Sequence, residues 1–464
     1  MQVLWGAGGM VVLLLVAFAL STDRRAIRPR TVFGALAIQL VFAFAVLRWE
    51  TGKQVLSTVS AGVQRVIDSS KEGIDFLLGP VMPTDGSTVV AFQVLPLIIF
   101  IASLSAVLYH LNILQWAVRI VGGALRAVLG TTRAESLNAT ANIFLGQTEA
   151  PLVVRPYLKG MTRSEFFAVM VGGLSTVAGS VMVGYALLGA NLDHLIAASF
   201  MAAPAGLLMA KIIVPETERS AEAADGKRPT TFGDVAGKFG RGKAPSKTFA
   251  ADSEQPAAES GDSARTPDDS APTATESAPR SSEDVDDSEA LETKPRNVID
   301  AAATGASDGL KLALNVGAML FAFVSLIALL NLILGAVGGL FGLPEITFEG
   351  LIGYVFAPLM WVIGVPWSEA VAAGGFVGQK LVLNEFVAFT DFGPQAASFD
   401  PHTAIIITFA LTGFANFSSL AILLGGLGGL VPSRRSLIAQ YGMRAIAGGT
   451  LANLLSAAIA GMLV

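Results

Sequence analysis

The chain has 464 residues, 53% hydrophobic and 14% charged, with 49 glycines, no cysteine and a formal net charge of -5. A soluble domain carries about 25% charged residues, so this balance excludes an ordinary soluble enzyme, and the missing cysteines exclude disulfides, thiol nucleophiles and cysteine metal sites. Mean hydropathy is +0.61, and the apolar residues fall in long runs rather than short alternating ones, which points to membrane helices and not to a barrel.

In chain order, runs long enough to span occupy 2–20, 31–48, 88–109, 166–190, 193–214, 312–341, 403–431 and 444–464. No charge precedes the first run, and "STDRRAIRPR" follows it. It therefore reads as a span with its N-terminus outside, not as a signal peptide. Residues 52–78, 114–129 and 298–313 are amphipathic and suit helices lying along the membrane interface. His110, His194 and His402 are scattered and share no metal-ligand spacing. No phosphate loop, catalytic triad or nucleic-acid motif is present.

Two further apolar segments are interrupted by polar clusters. In 134–158 the cluster is "GQTE"; in 367–392 it is "NEF". Neither arm reaches the roughly 20 residues of a spanning helix. Each segment reads as a re-entrant hairpin whose polar tip reaches the membrane interior, where irregular backbone must be buried in protein or line a wet cavity. Pro151 suits the first turn of a returning helix. Each hairpin is followed by a polar-spotted span, 166–190 and 403–431. The arginines and lysines near the loops give the two copies opposite orientations. An inverted repeat of interrupted helices marks a secondary transporter.

Residues 216–297 separate the halves and hold 18 acidic and 11 basic residues among Ala, Ser and Pro. This composition buries too little apolar surface to fold, so a disordered cytoplasmic linker is expected. The domain scheme is then two spans and an interfacial helix in 1–87, a first half in 88–215, the linker, and a second half in 298–464.

Glu149 and Glu385 stand one at each hairpin tip. A carboxylate at the centre of a membrane helix costs roughly 2.5–3.5 kcal/mol on insertion scales, so both are expected to face a cavity or a partner. Asn416 and Ser419 share one helix face, with Phe414 offering an aromatic wall. Thr176 and Ser180 do the same on the other broken span. Small polar residues of this kind also serve plain helix packing. Asn142 lies about a turn before the first tip. If the helix ends at Leu145, a free carbonyl and the Asn142 amide oxygen suit Na⁺, although Asn is also a common capping residue. Lys380 is placed to pair with a carboxylate, and Arg155 to anchor the returning arm.

"GQTEAPLVVRPYL", "GLSTVAGSV", "KLVLNEFVAF", "GFANFSSLAI" and "SRRSLIAQYGMRAIAGGTLANLLSAAIAG" closely resemble the concentrative nucleoside transporter family. The resemblance implies an all-α membrane protein with eight transmembrane helices, two opposed re-entrant hairpins, interfacial helices and a homotrimeric assembly. It implies inward nucleoside transport driven by Na⁺ or H⁺. Carried over by motif, Gln147, Thr148 and Glu149 would face the nucleobase, with Val181 as an apolar contact. Glu385, Asn416 and Ser419 would bind ribose hydroxyls, with Phe414 nearby. Asn142, Thr176 and the carbonyls of Leu145 and Val177 would form a Na⁺ site. The acidic linker is not a recognised family element. The two spans before the first interfacial helix suit a bacterial inner-membrane protein. The expectation is a Na⁺-coupled nucleoside importer; proton coupling through Glu149 and a membrane-embedded enzyme are the alternatives.

Overall fold

A computed structural model describes residues 2–82, 89–218, 295–343 and 345–464. Apart from its two roots, the expected linker at 216–297 lies outside the described residues. No strand occurs among the described residues.

Helices α1 (Gln2–Ala19) and α2 (Pro29–Leu47) form the first pair. Pro29 opens α2, where a missing amide hydrogen is tolerated. In α3 (Glu50–Leu78) only Leu56, Ser60, Ile67, Ser70 and Ile74 are buried, a single stripe, as the amphipathic pattern requires. Helices α4 (Val90–His110) and α5 (Ile113–Leu129) follow. Arg30 and Thr31 donate to the carbonyls of Ala127 and Leu129 at 2.9 and 3.0 Å, fastening the end of α5 to the start of α2.

The first hairpin consists of α6 (Arg133–Ala141) and two short returning helices, α7 (Ala150–Val153) and α8 (Arg155–Leu158). Two prolines divide the return, Pro151 and Pro156, each in a first helical turn. The first broken span is α9 (Arg163–Ser175) and α10 (Gly179–Leu187), and α11 (Leu192–Ile213) completes the half.

Helix α12 (Val298–Leu340) has 43 residues, about 65 Å at 1.5 Å per residue, twice the hydrocarbon thickness of about 30 Å. The separate interfacial helix expected at 298–313 is instead its first part. Gly305 and Gly309 do not break it, because both are packing positions. A Cβ on Gly309 would lie 2.8 Å from the Ile99 Cα, and one on Gly305 would lie 2.9 Å from the Ser103 Cα, both on α4. The next helix, α13 (Phe348–Val362), has no counterpart among the expected elements; its 15 residues fall short of a span. It meets α14 (Trp367–Val382) at 117°, around Gly364 with φ +116.

Helices α14 and α15 (Glu385–Gln395) are the arms of the second hairpin. The second broken span is α16 (Pro401–Leu411) and α17 (Phe417–Leu430), followed by α18 (Arg435–Leu463). Among the described residues, six helices or near-continuous pairs are long and apolar enough to cross a membrane: α2, α4, α9–α10, α11, α12 and α18. With α1 and the broken α16–α17 they account for all eight expected spans.

The loops near the linker root gather on one face. Thr22 N–H donates to Ile213 O at 2.8 Å. Arg434 donates to Met161 O at 2.7 Å. Lys211 pairs with Glu135 at the base of α6 and, at 3.6 Å, with Glu216.

Candidate substrate and cation site

Hairpin tips and helix breaks converge at the centre of the molecule. The breaks lie at Thr176–Ala178 and Thr412–Asn416, and the Phe414 N–H donates to Thr176 O across them at 3.1 Å. A broken helix leaves carbonyls without amide partners. Here Asn453 of α18 supplies them, its Nδ2 donating to Ser175 O and to Thr412 O at 2.7 Å each. Lys380 of α14 completes the junction, with Nζ 2.7 Å from Ala410 O and 2.8 Å from Asn453 Oδ1. Gly413 leaves room for Asn453, since a Cβ there would overlap the amide. The expected carboxylate partner of Lys380 is therefore replaced by two neutral oxygens, because the frayed end of α16 lies nearer.

At the second tip Asn384 caps α15, accepting from Val387 N–H at 2.9 Å. This places Glu385 in the first turn of the helix, where its charge meets the positive end of the dipole. Glu385 is 5% exposed. Its Oε1 accepts from the Tyr185 hydroxyl and its Oε2 from Asn416 Nδ2, both at 2.9 Å. Asn416 in turn caps α17, its Oδ1 accepting from Ser419 N–H at 2.8 Å and lying 2.7 Å from the Ser418 hydroxyl. Phe414 is half-buried beside them. Tyr185 stacks on Phe389 at 4.3 Å between ring centroids.

The first tip approaches the same place. Gln147 is buried and its Nε2 reaches Ser419 Oγ at 3.4 Å. Its Oε1 has no hydrogen-bond partner. Thr148 and Glu149 are exposed, and Glu149 accepts only a long bond, 3.4 Å, from Gly146 N–H. Thr148 rests against α17 where Gly426 leaves space, a Cβ on Gly426 falling 2.9 Å from Thr148 Cγ2. Val181 is buried on α10. Acceptors, donors and an aromatic ring thus lie together, mostly buried, with the exposed Thr148 and Glu149 beside them, a set suited to a neutral ligand rich in hydroxyl and amide groups.

The cation candidates lie behind the first tip. Helix α6 ends at Ala141, not at Leu145, and Asn142 is its C-cap. Asn142 is fully buried, its Nδ2 donates to Asn138 O at 2.9 Å, and its Oδ1 has no partner. Thr176 caps the end of α9 and donates to Gly172 O at 2.9 Å. Leu145 and Val177 are buried in non-helical stretches of the tip and of the break. Two helix C-termini and an unpartnered amide oxygen make this a place fit for a monovalent cation. Among the described residues no group of three His, Asp or Glu side chains offers a site of the usual metalloenzyme kind.

Tyr185, Asn453 and Ser418 went unforeseen. Tyr185 and Glu385 are 200 residues apart, and a tyrosine in an apolar span carries no sign of its partner.

Two hairpin tips and two broken helices meeting at a polar cluster define a membrane secondary transporter. Models of the Na⁺-dependent nucleoside transporter N- and C-termini match residues 8–81 and 194–461, and a nucleoside recognition (gate) model matches 91–192. The chain is 49% identical to an uncharacterized transporter of Bacillus subtilis, YutK, with both chains fully covered. It is 40% identical to the nucleoside permease NupC of Helicobacter pylori, covering 99% and 98% of the two chains. It superposes on CNTnw in an inward-facing substrate-bound state with TM-score 0.82 at 44% identity, covering 100% and 98%. An outward-facing form of CNTnw gives 0.83 at the same identity. The chain belongs to the Na⁺-dependent nucleoside transporter family: it is a nucleoside transporter of the membrane and not an enzyme.

Proposed function

We propose that this protein is a Na⁺-coupled nucleoside importer that works by alternating access as a homotrimer in a bacterial inner membrane. The observation that carries Na⁺ coupling is the orphaned, fully buried Asn142 Oδ1 at the C-terminal ends of α6 and α9. An unpartnered buried acceptor at two negative dipole ends is stabilised by a cation. Asn142, Thr176 and the carbonyls of Leu145 and Val177 hold the ion. Gln147, Thr148 and Glu149 recognise the nucleobase against Val181, and Glu385, Asn416 and Ser419 take the ribose hydroxyls beside Phe414.

Coupling follows from shared structure. Asn142 and Leu145 lead directly into the Gln147–Glu149 tip, so residues that order around the ion order the base-recognition side chains as well. Glu385 arrives with both carboxylate oxygens already held by Tyr185 and Asn416, so little rearrangement is needed to receive a diol. Lys211 and Lys311 flank the linker and support a cytoplasmic position for 216–297 and an external N-terminus.

Proton coupling rests on a different observation: Glu149 is a tip carboxylate held by one long bond. Proteoliposomes loaded to impose a Na⁺ gradient or a pH gradient separately decide between the two. Uridine accumulation under the Na⁺ gradient alone is expected. Accumulation under the pH gradient alone would replace this reading with the proton one.

A further inference from the structure

The seam between α6 and α9 carries polar groups that the proposed site does not use. Asn138 lies one turn before Asn142 on α6, about 6 Å along the axis. It is 1% exposed, and neither its Oδ1 nor its Nδ2 has a hydrogen-bond partner. Leaving both ends of a buried amide unmatched is rare and costly. Both asparagines face one glycine. A Cβ on Gly172 of α9 would lie 3.3 Å from Asn138 Nδ2 and 3.5 Å from Asn142 Nδ2. The Asn142 amide is fixed by its bond to Asn138 O, whereas no bond fixes the orientation of the Asn138 amide, so its oxygen can turn into the seam. One further turn towards the helix base, Glu135 is buried and pairs with Lys211 on the linker face. The polar groups thus form a file from the cation candidates to the face that carries the linker roots.

We propose that Asn138 is a second holding position for the coupling cation, a relay between the Asn142 site and the linker face through the α6–α9 seam. The proposal rests on the Na⁺ reading above. The Asn138 amide oxygen receives the ion as it leaves Asn142, and Gly172 keeps the seam wide enough for the transfer. The Asn138 amide offers the seam an oxygen with no protein partner, which a leucine of similar size would not.

The test measures ²²Na⁺ on the purified full-length protein, both equilibrium binding and the rate of loss after a chase with unlabelled Na⁺. Wild type is expected to bind the ion, and Asn142→Ala to lose binding. Asn138→Leu is expected to keep equilibrium binding within about twofold and to slow release about tenfold, the effect of removing one polar stabiliser from the path. Asn138→Ser, small and polar, is expected to release at nearly the wild-type rate. Gly172→Ala tests the same path with Asn138 intact and is expected to slow release as well. It also keeps the proposal falsifiable if Asn138→Leu does not fold. Unchanged release in Asn138→Leu, or in Gly172→Ala where the leucine variant fails, would overturn the relay. Loss of equilibrium binding in a folded Asn138→Leu would also overturn it, by making Asn138 part of the first site. Absence of Na⁺ binding by wild type would instead refute Na⁺ coupling itself.

Discussion

Asn416 Nδ2 donates to Glu385 Oε2 at 2.9 Å, and this one bond joins the second hairpin tip to the break in the following span. Asn416 does two things at once, since its Oδ1 also caps α17. The recognition group and the helix terminus are therefore one device, and removing the amide disturbs both.

Glu385→Gln keeps size but replaces an anionic acceptor with a neutral one. Hydrogen bonds to charged groups contribute about 1.5–3 kcal/mol each, so uridine uptake is expected to fall by about 10- to 100-fold. Tyr185→Phe removes one donor to the same carboxylate and keeps the stack on Phe389, so a loss of about tenfold is expected, the lower end of that range for one such bond. Concentration-dependent uptake measures both. Wild-type uptake in Glu385→Gln would show that the diol is bound elsewhere.

Asn453→Ala strands Ser175 O and Thr412 O, each a buried acceptor worth about 1–3 kcal/mol when left unmatched. A clear drop in melting temperature in detergent is expected, with weaker nucleoside binding because both breaks loosen. Lys380→Met strands Ala410 O and Asn453 Oδ1 but leaves the two break carbonyls bonded. Its melting temperature is expected to lie between wild type and Asn453→Ala. The reverse order would show that the lysine charge, and not the amide, holds the junction.

Gly426→Ala sets a Cβ against Thr148 Cγ2 and pushes the first tip away from α17. Nucleoside binding is expected to weaken about tenfold, the scale of a modest overpacking strain. Thr148→Ser removes the obstructing methyl, so the double variant is expected to recover affinity relative to Gly426→Ala. Additive losses in this double-mutant cycle would show that the two residues do not meet.

Replacing Na⁺ by choline at constant ionic strength is expected to reduce wild-type uptake to a low residual level. Thr176→Val removes the hydroxyl while keeping shape, and its uptake is expected to need about tenfold more Na⁺, the loss of roughly one oxygen ligand. Initial rates against Na⁺ concentration check this. An unchanged Na⁺ curve would remove Thr176 from the cation site.

The hairpins were legible in the sequence because a carboxylate in an apolar run too short to span on either side leaves few alternatives: Glu149 and Glu385 announced the tips. The spacing of Asn416 and Ser419 was read as one helix face, whereas Asn416 stands just before α17 and caps it by accepting from Ser419 N–H. The end of α6 was misplaced by a turn, since "ATANIFLG" stays apolar past Asn142 and only the tertiary bend shows where the helix stops. Lys380 was assigned the wrong kind of partner, because a lone buried lysine suggests a carboxylate while the carbonyls freed by a broken helix are invisible until the break is located. The first part of α12 was taken as a separate interfacial element because its pattern is amphipathic, and only the close approach of α4 at Gly305 and Gly309 shows that it packs as one helix with the span.

By itself the sequence determined the membrane class, the eight spans, the two interrupted hairpins and the broken helices that follow them. These depend on local chemistry, namely the length of apolar runs and the cost of polar groups inside them. Only the tertiary structure decided which polar group satisfies which. Tyr185 finds Glu385, Asn453 finds Ser175 and Thr412, and Asn138 and Asn142 face Gly172 with oxygens to spare. Hydrogen-bond satisfaction is a property of neighbours in space, and these neighbours come from helices as far as 278 residues apart in the chain.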